Sequence, residues 1–167
     1  QGQGKYKIDA GHSTTIYNGE CVKISSGYVV GGNGSAADII GVLNGIFFNA
    51  ADTLKPTFSN FYKATITPAN SEDTTAFVID DPFQQYVVAA DDATGVTTFL
   101  ETYDMNASAG SDTTGKSSST LDIATTSANG KQFRMLRSAE DPENEDATAV
   151  RHSVIVVSNL NSFNGHN

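Results

Sequence analysis

The chain has 167 residues, of which 38% are hydrophobic and none is Trp, with a formal net charge of −9 and a pI near 4.5. That length suits one domain, or one domain with an extra hairpin or arm. The surplus of Ser, Thr, Asn, Ala and Gly suits short strands joined by turns and excludes a helical bundle, which needs more Leu, Glu, Lys and Arg.

Strand signals recur along the chain with turn signals between them. Lys5-Tyr6-Lys7-Ile8 is a short alternating run, followed by Cys21-Val22-Lys23-Ile24 and, after a Ser-Ser-Gly turn, by Tyr28-Val29-Val30. Gly31 to Ser35 (GGNGS) reads as a flexible loop, because these residues accept positive φ at low cost. Residues 39–48 (IIGVLNGIFF) are the most apolar segment, long enough for a helix or a strand pair. Strand is favoured, since two internal glycines weaken a short helix by roughly 1 kcal/mol each. Asn44-Gly45 marks a tight turn or bulge within it. Further strands are expected at 58–63, 76–79, 85–90, 97–100, 132–136 and 151–157, with Asp81-Pro82 as a turn. Between 107 and 130, 18 of 24 residues are Ser, Thr, Gly or Ala, which buries little apolar area. Residues 138–146 form an acidic surface loop.

The expected fold class is therefore all-β: a β-sandwich or β-barrel with extended loops or arms and little helix. The expected organisation is a single β domain over 1–167, with an N-terminal arm over about 1–8 and a Ser/Thr/Gly-rich loop or arm over about 107–130.

Charge is unevenly spread. No Lys or Arg occurs between Lys63 and Lys116, an interval holding nine acids: Glu72, Asp73, Asp80, Asp81, Asp91, Asp92, Glu101, Asp104 and Asp112. Nucleic acid is not an expected partner, because phosphate contacts need clustered Lys and Arg. An acidic, solvated face can repel polyanions or meet a basic partner. A membrane is not expected either: no stretch approaches the ~20 apolar residues of a spanning helix, and no signal peptide is recognisable. The opening Gln1-Gly2-Gln3-Gly4 lacks an initiator methionine, which points to residues upstream.

Chemical constellations are sparse. The carboxylate pairs Glu72-Asp73, Asp80-Asp81 and Asp91-Asp92 are sequence neighbours, and neighbours on a strand point to opposite faces, so they read as turn and solvation groups. Calcium-loop spacing is missing, although Asp91-Asp92-Ala93-Thr94-Gly95 and Asp104-Met105-Asn106 are faintly similar. The lone Cys21 and the scattered His12, His152 and His166 offer no zinc set. Cys21 reads as a small buried hydrophobe, His12 as a loop residue and His152 as a half-buried strand contact. No Gly-x-Ser-x-Gly elbow occurs, and Gly32-Asn33-Gly34-Ser35 is not followed by a phosphate-binding Lys. Asn106-Ala107-Ser108 formally matches a glycosylation acceptor. No catalytic residue, metal ligand or cofactor is expected, and the chain is not expected to be an enzyme.

Several stretches taken in order resemble a family of tailed-phage capsid decoration, cement or head structural proteins. They are Gly2-Gln3-Gly4-Lys5-Tyr6-Lys7-Ile8 with Tyr17-Asn18-Gly19-Glu20-Cys21-Val22, then Ile40 to Phe48 with Lys55-Pro56-Thr57-Phe58-Ser59-Asn60-Phe61-Tyr62. Ala76-Phe77-Val78-Ile79-Asp80-Asp81-Pro82 comes next, then Thr114-Gly115-Lys116-Ser117, Leu121-Asp122 and Phe133-Arg134-Met135-Leu136. Asp141 to Glu145 leading into Val154-Ile155-Val156-Val157-Ser158-Asn159 closes the set. Lys63 stands where the family often has Trp, and Phe163 stands in a region where it commonly has His. The resemblance implies a non-enzymatic virion protein on the outer surface of the capsid. Such a protein, often a trimer, bridges neighbouring major capsid proteins. A clamp of this kind gains from arms that add strands to a partner, and from avidity over many weak contacts. Gln1, Lys5, Tyr6, Phe47, Phe48, Phe61 and Tyr62 are the expected capsid or subunit contacts, with Phe58 among the same aromatics. The alternative function is a phage fibre-type receptor- or carbohydrate-binding module, which would carry a concave aromatic or polar pocket on a lateral face.

Overall fold

The computed structural model describes residues 2–34, 38–107, 110–143 and 146–163. Gln1, one of the expected contacts, lies outside them, as do Ser35, Ser108, Asn144, Glu145 and His166. The chain is all-β. The described residues form eleven strands and two three-residue 3-10 turns, at Ala69–Ser71 and Val96–Thr98. In chain order the strands are β1 (Gly4–Ile8), β2 (Cys21–Ser25), β3 (Tyr28–Gly31), β4 (Gly41–Asn49), β5 (Pro56–Ser59) and β6 (Thr74–Ile79). Then come β7 (Gln85–Ala89), β8 (Thr102–Met105), β9 (Leu121–Ser127), β10 (Phe133–Ser138) and β11 (Ser153–Ser158).

The strands form two antiparallel sheets, and the chain clusters into two compact units, one around each sheet. The first unit takes Gln1–Gly32, Ile40–Asp81 and Ala109–Ser118. Its sheet has the order β1-β6-β4-β2-β3, with β5 also on β4. One edge of β4 carries β6; the other carries β2 at Gly41 and Val42, then β5 from Ile46 to Asn49. The sheet coils so far that its outer strands β1 and β3 approach each other. Alternation puts one face inside. Ile8, Val22, Val29, Leu43, Ile46, Ala76 and Val78 line the core with Ile16, Ile40 and Tyr62, all buried. Cys21 is buried, as its apolar run predicts.

The expected N-terminal arm is largely a strand. Gly4 to Ile8 pair residue by residue with Val78 to Thr74, and Ile8 is fully buried. The expected Ser/Thr/Gly-rich arm is also structured, because 121–127 is β9 and 110–118 belongs to the first unit. The strand expected at 97–100 is instead a 3-10 turn, closed where Thr98 N–H donates to Gly95 O at 2.9 Å.

The second unit takes Asn33–Ile39, Pro82–Ser108 and Ser119–Asn167. Its sheet runs β7-β11-β10-β8-β9. Strand β11 alternates cleanly, with Val154, Val156 and Ser158 buried, and packs its inner face with Tyr103, Met105, Leu121, Phe133 and Met135. Strand β8 is buried at every position.

Gly41 is fixed by space. A Cβ there would stand 2.0 Å from the Ile79 carbonyl oxygen and 2.9 Å from Val78 Cγ1. Gly41→Ala is therefore expected to lower the unfolding free energy by about 3 kcal/mol, measured as a shift in urea midpoint at unchanged slope.

Candidate functional site

Three constellations draw together residues of functional interest. The first is on the outer face of the first sheet. A bulge at Asn44 resets the alternation of β4, so that Leu43 and Ile46 both face the core while Phe47 faces out. Phe47 lies opposite Phe58 of β5, ring centroids 4.8 Å apart and tilted 51°. Phe58 in turn lies 6.1 Å from Phe77 of β6, nearly parallel at 18°. Gly45 is the register partner of Phe77, and its missing side chain leaves the floor between the rings bare. The result is an open groove of about 460 Å³ lined by Gln3, Asn44, Gly45, Ile46, Phe58, Ser59, Asn60 and Phe77. No charged side chain lines it. Lys5 stands beside Phe77 on the neighbouring strand, and Lys7 donates to Thr75 Oγ1 at 3.1 Å.

The expected contact residues divide by strand parity. Lys5 and Phe47 lie on the outer face. Tyr6, Phe48 and Tyr62 turn inward, packing in or against the core. The Tyr6 hydroxyl donates to Asp80 Oδ2 at 2.7 Å, and burial together with that bond pushes its pKa up to about 12. The Tyr62 hydroxyl donates to the His12 carbonyl at 2.9 Å, while the His12 ring packs 5.4 Å from the Tyr62 ring. Burial lowers the His12 pKa.

Phe61 belongs to the second constellation. It stacks on Tyr17 at 5.9 Å and 3°. Segment 110–118 lies over both rings: a Cβ on Gly110 would meet Tyr17 at 2.4 Å, and one on Gly115 would meet Phe61 at 2.4 Å. The segment is tied down by Asn18 N–H to Gly115 O (2.8 Å), Ser117 N–H to Asn18 O (2.9 Å) and the Asn60 amide to Thr114 O (2.8 Å). The Tyr17 hydroxyl donates to Asp112 at 2.7 Å, which raises its pKa. Glu20 closes the turn that begins at Tyr17, its N–H donating to Tyr17 O at 3.1 Å. It is 9% exposed, accepts the Tyr17 N–H at 3.0 Å, and has its pKa raised by burial.

The third constellation is the buried polar set of the second unit. Asp104 accepts Lys131 Nζ at 2.8 Å and the Gln132 N–H at 3.3 Å. His152 is fully buried, deeper than the half-buried contact its strand suggested. Its Nδ1 is 3.1 Å from the Ala149 carbonyl, which can only accept, so Nδ1 carries the proton. Nε2 is hydrogen-bonded to Thr94 Oγ1 at 2.6 Å. Three of the paired acids, one in the first unit and two in the second, hold backbone. Asp73 accepts from Ala10 N–H (3.3 Å), Asp91 from Ile123 N–H (2.9 Å) and Asp92 from Ala93 N–H (2.7 Å). Among the described residues no three His, Cys, Asp or Glu side chains converge as a metal set.

Sequence reasoning missed Phe77 and Asn44 as members of the outer-face groove. The one local signal was the Asn44-Gly45 bulge pair. Comparison with protein-family models, curated proteins and solved structures finds no significant match.

Tyr6 and Glu20 are among the groups that make stability depend on pH. Tyr6 has a folded pKa above its ordinary 10.0, so its contribution to stability is full below pH 10 and is lost as pH rises toward about 12. Asp80→Asn is expected to reduce that alkaline loss in thermal denaturation and to leave the part due to burial of the phenol. Glu20 is also raised, above 4.5, so the fold prefers it protonated and loses stability as pH rises through its folded pKa. Glu20→Gln keeps an acceptor for Tyr17 N–H without a buried charge. It is expected to raise the Tm at about pH 7 and to lose that advantage near pH 4.

Proposed function

We propose that this chain is a non-enzymatic structural protein of a tailed-phage virion. It sits on the outer surface of the capsid, bridges neighbouring major capsid proteins, and acts as a trimer. What carries the reading is the ordered series of family-like segments, from Gly2-Gln3-Gly4 to Val156-Val157-Ser158, over most of the chain. No single segment would suffice.

Three physical features support it. Both units are sheets with their own buried side chains, which suits a stiff spacer. Large apolar side chains also stand in solvent on each. Leu54 is 72% exposed on the first unit, and Phe83, Val87 and Val96 are 80%, 68% and 82% exposed on the second. A bridging protein needs more than one footing, and its individual contacts can be weak because lattice copies sum by avidity. We assign the shell footing to the second unit, around the outward residues of β7. The net charge of −9 suits the solvent side of a particle, where like charge keeps decorated heads apart.

Mass spectrometry of purified particles is expected to find the protein at a fixed ratio to the major capsid protein. Its absence from virions would defeat the proposal. In add-back to stripped heads, Val87→Asp is expected to cut occupancy about tenfold while leaving the fold intact, since a charge desolvated at an interface is strongly disfavoured.

A further inference from the structure

The groove on the outer face of the first sheet shares no residue with the shell footing around β7, so its ligand chemistry is independent of that footing. The backbone beneath it is engaged. Gly45, Ile46 and Phe77 are in the ladder between β4 and β6, and Phe58 and Ser59 pair with β4. A peptide strand adds to a sheet through free main-chain donors and acceptors at an edge, and this site lies on a face. What sits on the paired part of this face is read through side chains.

Those side chains are of two kinds. Phe58 and Phe77 give nearly parallel apolar ring surfaces over the bare floor at Gly45, and Phe58 is held from behind by Phe47. Around them stand three carboxamides. Those of Gln3 and Asn44 make no hydrogen bond within the described chain, whereas that of Asn60 is turned to the 110–118 segment, its NH₂ on Thr114 O and its Oδ1 against Gly115. Ser59 is committed to Phe61, donating to its carbonyl at 2.8 Å, and so adds no donor of its own. In a chain with 29 Lys, Arg, Asp and Glu, the lining of this groove has none. A carboxamide offers a donor and an acceptor together, which matches the vicinal hydroxyls of a pyranose. The C–H face of the same ring is apolar and lies flat on an aromatic side chain. The volume, about 460 Å³, falls in the range of small-ligand sites and is open at its ends.

We infer that this groove is a binding site for a neutral oligosaccharide, with Phe58 as the stacking platform and Asn44 and Gln3 as the hydroxyl readers. The absence of lining charge selects against acidic sugars, although Lys5 stands close enough to make that comparison worth running.

The test is a titration of ¹⁵N-labelled full chain with neutral oligomers of glucose (both α- and β-linked) and of N-acetylglucosamine, against an oligogalacturonate. The expected result is that at least one neutral oligomer shifts the backbone and side-chain amides of Asn44 and Gln3. Phe58→Ala is expected to weaken that binding about tenfold. Because Phe58 is 72% exposed, this variant should keep the rest of the spectrum, which shows that it folds. Three results would overturn the inference. One is no shift at those amides with any neutral oligomer at about 10 mM, where millimolar sites are filled. Another is equal or tighter binding of the oligogalacturonate. The third is concentration-dependent shifts of the same amides without sugar, which would assign the face to a second copy. Each of these leaves the virion measurement untouched, so the two readings fail separately.

Discussion

Strand β4 carries three partners on nine residues, and the first unit depends on that crowding being possible. Gly41 lets the backbones of β4 and β6 close to a distance that no side chain would allow. Asn44 then bulges out of the ladder, and the two-residue alternation restarts one step later. Without the bulge, Leu43 and Ile46 could not both point inward, because they are an odd number of residues apart. The same irregularity strips the outer face at Gly45 and lifts Asn44 beside it. A packed interior and an open aromatic surface are thus two sides of one backbone defect.

Much of this was legible in the chain itself. Runs such as Ser153–Ser158, Thr74–Ile79 and Gln85–Ala89 are dominated by β-branched or aromatic residues, and their identity as strands needs no tertiary information. The choice of strand over helix for 39–48 followed from its two glycines, and the Asn-Gly pair located the bulge. Strands β8 and β9 were not legible. Thr102–Met105 carries an aspartate, yet every position is buried, because Lys131 neutralises Asp104 from 27 residues away. Leu121–Ser127 is the outermost strand of its sheet and alternates mostly small polar residues, so composition left loop, arm and extended edge undivided there.

The aromatics show a second limit. Phe47 and Phe58 could be picked out as surface candidates, but Phe48 and Tyr62, of the same chemistry and close in sequence, point inside. Which of two adjacent phenylalanines is exposed is a matter of register, and register is set across the sheet by partners that no local window contains. Phe77 joins the groove for the same reason: it faces Gly45, 32 positions earlier. The second unit adds buried polar chemistry to the list. His152, Gln132 and Asp104 are satisfied by groups far along the chain or by its main chain. Networks of that sort reward one arrangement and penalise near misses.

The boundaries of the two units have a consequence for how the molecule is made. The polypeptide passes from one to the other five times, at 32/33, 39/40, 81/82, 108/109 and 118/119. Neither half is a contiguous piece, so no single truncation releases one of them whole. Strand β1 waits for β6, some 70 residues on, before its ladder can form. Emerging from a ribosome, β1 stays without its ladder partner until β6 has been synthesised. Assembly is then dominated by distant closures, the regime in which β proteins reach their native state slowly.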